Sequence, residues 1–321
     1  MQSRTKKILV IGASGQIGME LTIALRVKFG NDCVVAADVM AEPSQLQGTG
    51  VWEELNVLSA SGLQRMAIKH AVTEIYLLVE MLSVTAERDA QNAWQLNIQG
   101  LLNVLEVARE EQIKVFWPSS IAARAPASTV YGLSKYTGEC WCHHYHEKYG
   151  VDVRSVRYPA FISPAAKPGG VGIDYVTGMF HAALDKKVYE CFLQADTILP
   201  MIYMPDAVRA AVMLMEAPGE NILRQTSYAI AALRFTPAEL FQKIRACCPD
   251  FSITYQPDHR QKIADSWQES ISEIENGQEA AGDWGWKAMY QLPWIVKEML
   301  EKIKGQKLNT NIRKLETMGI L

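Results

Sequence analysis

No run of apolar residues in this chain approaches the roughly eighteen needed to cross a bilayer. The first residues include a few basic ones, but "ILVIGASGQIG" reads as a strand and a glycine turn, not as the apolar core of a secretion signal. A cytoplasmic location is expected, without membrane attachment. An excess of charge of one sign is also missing. The formal net charge is −3 over 321 residues and the basic residues are scattered, so no nucleic-acid partner is expected. The six cysteines, Cys33, Cys140, Cys142, Cys191, Cys247 and Cys248, include no C-x-x-C pair, and their neighbours in sequence are adjacent or two apart. Reduced thiols and no metal are the expectation. His143, His144 and His146 place at most two imidazoles on one helix face, which reads as a titrating surface. Repeats and low-complexity segments are lacking too. The length suits one large domain or two packed together.

What is present is alternation. "KILVIG" is a continuous apolar strand, followed by a helix from Gln16 to Gly30, the strand "CVVAAD", a helix from Ser61 with that Ser as cap, and the strand "EIYLLV". A long helix over residues 89–111, the strand "IKVFWP", a helix from Thr129 ending at Gly150 and the strand "VDVRSVRYP" complete the series. This order predicts an α/β fold, a Rossmann-type doubly wound parallel sheet, over residues 1–158. From about Tyr158 the pattern loosens into a smaller α+β substrate-binding region, residues 159–305, some of whose elements return to the first domain. Its best helix start is Thr236-Pro237 with Glu239 at the third position. Trp284 and Trp286 read as its core. Residues 306–321 form a polar tail of weak periodicity, expected to fray.

Gly12, Gly15 and Gly18 stand between the first strand and first helix as G-x-x-G-x-x-G. The spacing allows a tight turn, a close backbone approach to a pyrophosphate, and close packing of helix on sheet, with the helix N-terminus facing the phosphates. Asp38 ends the second strand, where a carboxylate accepts from ribose hydroxyls and repels a 2′-phosphate. NAD is therefore the expected cofactor. Tyr131 and Lys135 are four apart on a helix and so share a face. A phenol is a poor base near neutrality, and a neighbouring ammonium is expected to lower its pKa. Ser120, at the end of the preceding strand, can bind the substrate oxygen. Together the three would take a hydroxyl proton while hydride leaves for NAD. Asn97, on an otherwise apolar helix face, reads either as a tolerated buried amide or as a link in a proton relay through Lys135.

The glycine loop, Asp38, "LNIQGLLNVLE", "PSS" and "YGLSK" resemble the extended short-chain dehydrogenase/reductase family. "LSVTAE", "FWPSSIAA", "LPMIYMPDAVRA", "FTPAEL", "RQKIADSW" and "DWGW" are similar to its L-threonine 3-dehydrogenase branch, in that branch's order, from about Lys7 to about Leu300. The resemblance implies NAD-dependent oxidation of the L-threonine 3-hydroxyl to 2-amino-3-ketobutyrate, and a homodimer built through a four-helix bundle. It also implies that Gln16, Ile17, Asn56, Val57, Leu78, Tyr158, Pro159 and Phe161 join the glycines, Asp38, Tyr131 and Lys135 in holding the cofactor. Ser83, Ser120, Tyr131, Gly172 and Trp267 would hold the substrate.

Several positions depart from that branch. Only ten residues separate Ser120 from Tyr131, less than half the family's span, so a loop beside the substrate is missing. Val171-Gly172-Ile173 stands where the family carries threonines, and their hydroxyls are lost. Leu77 and Glu80 replace a His and a small residue near the nicotinamide end. A carboxylate there needs a partner, and it would either crowd the cofactor or bind a cationic substrate group. Asn56 replaces an Asp near the adenine, and Ala160 and Phe161 follow "RYP" in place of Gly and Ile. Two other readings stay open: another extended-family enzyme, such as a sugar-nucleotide epimerase or a dehydrogenase of a different β-hydroxy compound, and a NAD-binding homologue with weak turnover.

Overall fold

The computed structural model describes residues 5–125, 129–166, 174–185, 188–223, 227–230, 233–267 and 277–317, the side chains of residues 83, 84 and 308–317 excepted. They fall into two compact units.

The first unit comprises Met1–Pro159, Pro205–Ala231 and Ser272–Lys287. Its main sheet has six parallel strands: β1 (Ile8–Ile11), β2 (Val34–Asp38), β3 (Val51–Glu54), β4 (Glu74–Leu77), β5 (Lys114–Phe116) and β7 (Val153–Arg154), in the order β3-β2-β1-β4-β5-β7. The strands β1 and β2 are buried along their whole length, which is why their sequences run apolar without alternation. On one face, Leu9, Ile11, Val35, Ile75 and Val115 pack with Leu63 of α2 (Ala60–Lys69) and Leu101, Val104 and Leu105 of α5 (Gly100–Glu111). The doubly wound fold is the one expected. The edge strand β3 is not legible in the pattern, because "VWEE" is half-exposed and charged. The α2 cap is Ser59, which accepts from the Gly62 amide, and not the expected Ser61.

The long helix expected over 89–111 is interrupted. Asp89 caps α4 (Ala90–Trp94), residues 95–99 form a π-helical turn, and α5 resumes at Gly100. A Cβ on Gly100 would press on the Val57 side chain at 3.0 Å, so close approach to the strand end favours glycine there. Helix α6 (Val130–Tyr149) opens on Thr129, whose side chain accepts from the Gly132 amide, and stops at Gly150 with φ +68°. A second sheet in this unit joins β6 (Ser119–Ser120), β8 (Val156–Tyr158) and β12 (Tyr228–Ala229). Trp284 and Trp286 correct the expectation that they lie in the smaller region. Both are buried in the first unit, and the guanidinium of Arg209, from α8 (Met204–Glu216), lies 4.5 Å over the Trp286 ring.

The second unit comprises Ala160–Met204, Ala232–Ile271 and Ala288–Leu321. It holds a three-stranded sheet, β13-β11-β9, of Leu233–Phe235, Leu199–Tyr203 and Ala160–Ile162, and a pair, β10 (Val188–Cys191) with β14 (Ser252–Tyr255). Its core gathers Phe180 of α7 (Tyr175–Leu184), Leu240 and Ile244 of α9 (Pro237–Cys247), and Met299 of the last helix. Thr236 and Glu239 close the predicted capping box. Helix continues past residue 306. The last helix runs from Leu292 to Thr317, and Lys307 is tied to Asp185 at 2.5 Å. No helix among the described residues is long and apolar enough to cross a membrane.

Candidate active site

The strand order reverses between β1 and β4, and the glycine loop sits at that point, on the carboxyl end of β1. Gly12 has φ +89°, and a Cβ there would come within 2.8 Å of the Val79 amide, so only glycine fits. A Cβ on Gly18 would collide with the Gly12 carbonyl, so the first turn of α1 (Gln16–Phe29) presses directly on the loop. No side chain caps this helix and no acidic residue lies in its first turn. The amides of Gln16, Ile17 and Gly18 are thus arranged as an anion cradle, and these residues fit the pyrophosphate of a dinucleotide. Asp38 is buried beside the loop. Its Oδ2 accepts from the Ser14 amide at 3.1 Å and the Ser14 hydroxyl at 2.6 Å, and Oδ1 accepts from the Met40 amide at 3.1 Å. Oδ2 is thereby filled, and Oδ1 keeps a further lone pair for a ribose.

Asn56 is exposed at the end of β3, next to a cleft it shares with Glu54, Leu55, Ser59 and Arg65. Its Oδ1 accepts from the Leu58 amide. Val57 and Leu78 are buried near the strand ends. The Val57 carbonyl accepts from Asn103 and the Leu78 amide donates to the Ile11 carbonyl. The Tyr158 hydroxyl donates to the Ala207 carbonyl at 2.7 Å, and Pro159 closes the first stretch of the unit. Phe161 on β9 and Trp267 at the end of the helix Arg260–Ser266 belong to the second unit. Gly172 lies outside the described residues. Ser83 opens the short helix Ser83–Arg88.

Ser120, Tyr131 and Lys135 come together where β6 meets α6. Ser120 ends β6; its hydroxyl accepts from the Ala122 amide at 3.2 Å and lies near enough to the Tyr131 phenol to act on it. The ten-residue span is therefore long enough for serine and phenol to meet. Lys135 is buried, donates to the Pro118 carbonyl at 2.5 Å, and stands 4.7 Å over the Trp117 ring. Glu80 completes the group. One carboxylate oxygen accepts from the Tyr131 hydroxyl at 3.3 Å and the other is ion-paired with Lys135.

That pairing overturns one expectation. Lys135 does not lower the Tyr131 pKa here. Burial, then the negative charge of Glu80, pushes the phenol well above its ordinary value of 10, against a smaller opposite effect from Ser120. Asn97 also differs from the expected relay. It sits in the π-helical turn, its Oδ1 accepts from the Met81 amide at 2.7 Å, and its Nδ2 donates to the Met81 carbonyl at 3.1 Å and to Ser134 at 3.2 Å. It clamps the backbone next to Glu80 and makes no bond to Lys135.

Beneath this group lies a buried network that the motif reading missed. The Arg157 guanidinium grips Glu139 with bonds of 2.7 and 2.6 Å, and the Ser119 hydroxyl donates to the same carboxylate at 2.5 Å. A usable signal was present: Tyr131, Lys135 and Glu139 recur at intervals of four, so a carboxylate shares the face of the tyrosine and lysine.

Comparison with known proteins identifies the family and its relatives. Residues 8–231 match the model of the NAD dependent epimerase/dehydratase family. Mitochondrial L-threonine 3-dehydrogenase of Bos taurus is 36% identical over 310 residues, covering 92% of this chain and 82% of that protein. Among solved structures, a GalE-like L-threonine dehydrogenase from Cupriavidus necator in its holo form is 45% identical, with a TM-score of 0.86 over 92% of this chain and 99% of that one. A monomeric L-threonine 3-dehydrogenase of metagenomic origin is 35% identical, with a TM-score of 0.85 over 93% and 99%.

Proposed function

Because the chain belongs to the NAD dependent epimerase/dehydratase family, we propose that it is an NAD-dependent dehydrogenase that oxidises the 3-hydroxyl of L-threonine to 2-amino-3-ketobutyrate. The observation that carries this reading is the convergence of Ser120, Tyr131 and Lys135 at one point of the unit that holds the glycine cradle. That similar proteins are named L-threonine dehydrogenases supports L-threonine as the substrate.

In this reading Ser120 binds the substrate oxygen and Tyr131 takes its proton. Lys135, fixed by Pro118 and 5.6 Å from the centre of the Tyr131 ring, holds the nicotinamide ribose. Asn97 keeps Met81, and with it Glu80, in place. Gly12, Gly15, Gln16, Ile17 and Gly18 hold the pyrophosphate, and Asp38 the adenosine ribose, which selects NAD over NADP. NAD, when bound, supplies the hydride acceptor. The remaining cofactor and substrate assignments, Asn56, Val57, Leu78, Tyr158, Pro159, Phe161, Ser83, Gly172 and Trp267, rest on resemblance. A homodimer in the cytoplasm is the proposed assembly, with sedimentation velocity to distinguish it from the monomer reported for one relative.

The test is NADH formation with L-threonine, run beside other small hydroxy acids and amino alcohols. L-threonine is expected to be the preferred substrate, and NADP a poor acceptor. Tyr131→Phe should lower turnover by about 100-fold or more while NAD affinity stays within a few-fold. NAD binding without oxidation of L-threonine would overturn the substrate assignment. Full activity in Tyr131→Phe would remove Tyr131 from its role.

A further inference from the structure

The Tyr131 hydroxyl faces a dilemma if it acts alone. To take a proton it must first be a phenolate, and this phenolate would sit half-buried against a carboxylate. The geometry offers another route. Tyr131 donates its own hydroxyl hydrogen to Glu80 Oε1 at 3.3 Å, which leaves a phenol lone pair free to accept. Glu80 cannot drift from that contact, because its other oxygen is paired with Lys135, which is itself anchored to the Pro118 carbonyl. The backbone beside it is clamped by Asn97 on both sides of Met81. The Glu80 side chain retains 20% of its exposure, so it has a path to water.

Resting on the dehydrogenase reading above, we propose that Glu80 is the terminal proton acceptor of the site: as the substrate hydroxyl gives its proton to the Tyr131 oxygen, the proton already on Tyr131 passes to Glu80. The balance is complete. The substrate O–H bond breaks and a Tyr131 O–H bond forms; the earlier Tyr131 O–H bond breaks and a Glu80 O–H bond forms. The substrate C–H bond breaks with its electron pair, and that hydride reduces NAD. Glu80 then releases its proton to water. Tyr131 is a neutral phenol before and after, so burial and the nearby carboxylate no longer oppose it. Among the described residues the ionisable groups bonded to Glu80 are Tyr131 and Lys135, both from α6; Glu87, on the helix Ser83–Arg88, instead accepts from the Val130 amide.

Two measurements test this. The first uses the protein without substrate or cofactor and follows tyrosinate absorbance against pH. In Glu80→Gln one tyrosine should titrate at lower pH than in the parent by about one unit or more, and that titration should vanish in Glu80→Gln/Tyr131→Phe. Identical titrations in parent and variant would overturn the contact. The second is kcat/KM against pH. If Glu80 accepts the proton, Glu80→Gln moves the acid limb to higher pH and lowers the rate near neutrality by about 100-fold, because Tyr131 must then ionise unaided. If Tyr131 ionises by itself in the parent, removing the neighbouring charge moves that limb to lower pH, and the proposal falls. A parent protein that shows the expected titration but oxidises no hydroxyl compound would defeat the dehydrogenase reading and the relay together, leaving the contact standing.

Discussion

Glu139 carries its carboxylate into the first unit two helical turns beyond Tyr131, and both it and Arg157 are 6% exposed. A buried pair of this kind adds little over an apolar substitute, but breaking it leaves one charge without its partner. Glu139→Ala is therefore expected to lower the unfolding free energy by about 3–5 kcal/mol in urea melts, with part recovered in Glu139→Ala/Arg157→Met. A neutral single variant would show that the pair does not hold β8 to α6. Because Ser119 shares the carboxylate, Ser120 should also lose its register, and turnover should fall with stability. At this scale the sequence was informative where chemistry is local. The glycines, Asp38, and the Ser120, Tyr131, Lys135 trio could be read from spacing. Glu80 was visible as a carboxylate in need of a partner, but its partners lie 51 and 55 residues away, and only the folded chain selects them.

Elements meet closely where α6 crosses the end of β5. A Cβ on Gly138 would run into the six-membered ring of Trp117, the same ring that supports Lys135. Gly138→Ala has a favourable helix propensity and an unfavourable fit, and the fit dominates. It should cost about 1–3 kcal/mol of stability and weaken NAD binding as Lys135 shifts, read by denaturant unfolding and by titration with NAD. Unchanged values for both would mean that Trp117 has room to move. Helix starts with a strong local code were legible, Thr236 with Glu239 above all. The π-helical turn was not, because the extra residue per turn leaves no mark in apolar periodicity. Nor was β3, whose partner lies on one side only.

At the scale of the whole molecule, the alternation of strands and helices announced the parallel sheet, while the looser second half hid how often the chain returns. It passes between the units at 159/160, 204/205, 231/232, 271/272 and 287/288. The first 159 residues contain all six strands of the main sheet but not what they lean on. Arg154 gives its guanidinium to the carbonyls of Leu214 and Ala217, and Tyr158 gives its hydroxyl to that of Ala207. A fragment of residues 1–159 should keep its helical signal in far-ultraviolet circular dichroism but lose near-ultraviolet structure and bind dye, as a loosely packed state does. A cooperative unfolding transition in that fragment would show that the first stretch stands alone.

Those returns also set a timetable for synthesis. Between Pro159 and Lys287 lie 128 residues that a ribosome must add before the first unit has all its segments. At about 5–20 residues per second this takes roughly 6–26 s, and Arg154 and the edge of β8 stay uncovered for about the first half of it, until Ala217 and β12 have emerged. A chain whose cofactor half comes first in sequence is thus among the last parts of itself to be finished, and a helper that shields that edge during the wait should raise its yield more than one that acts after release.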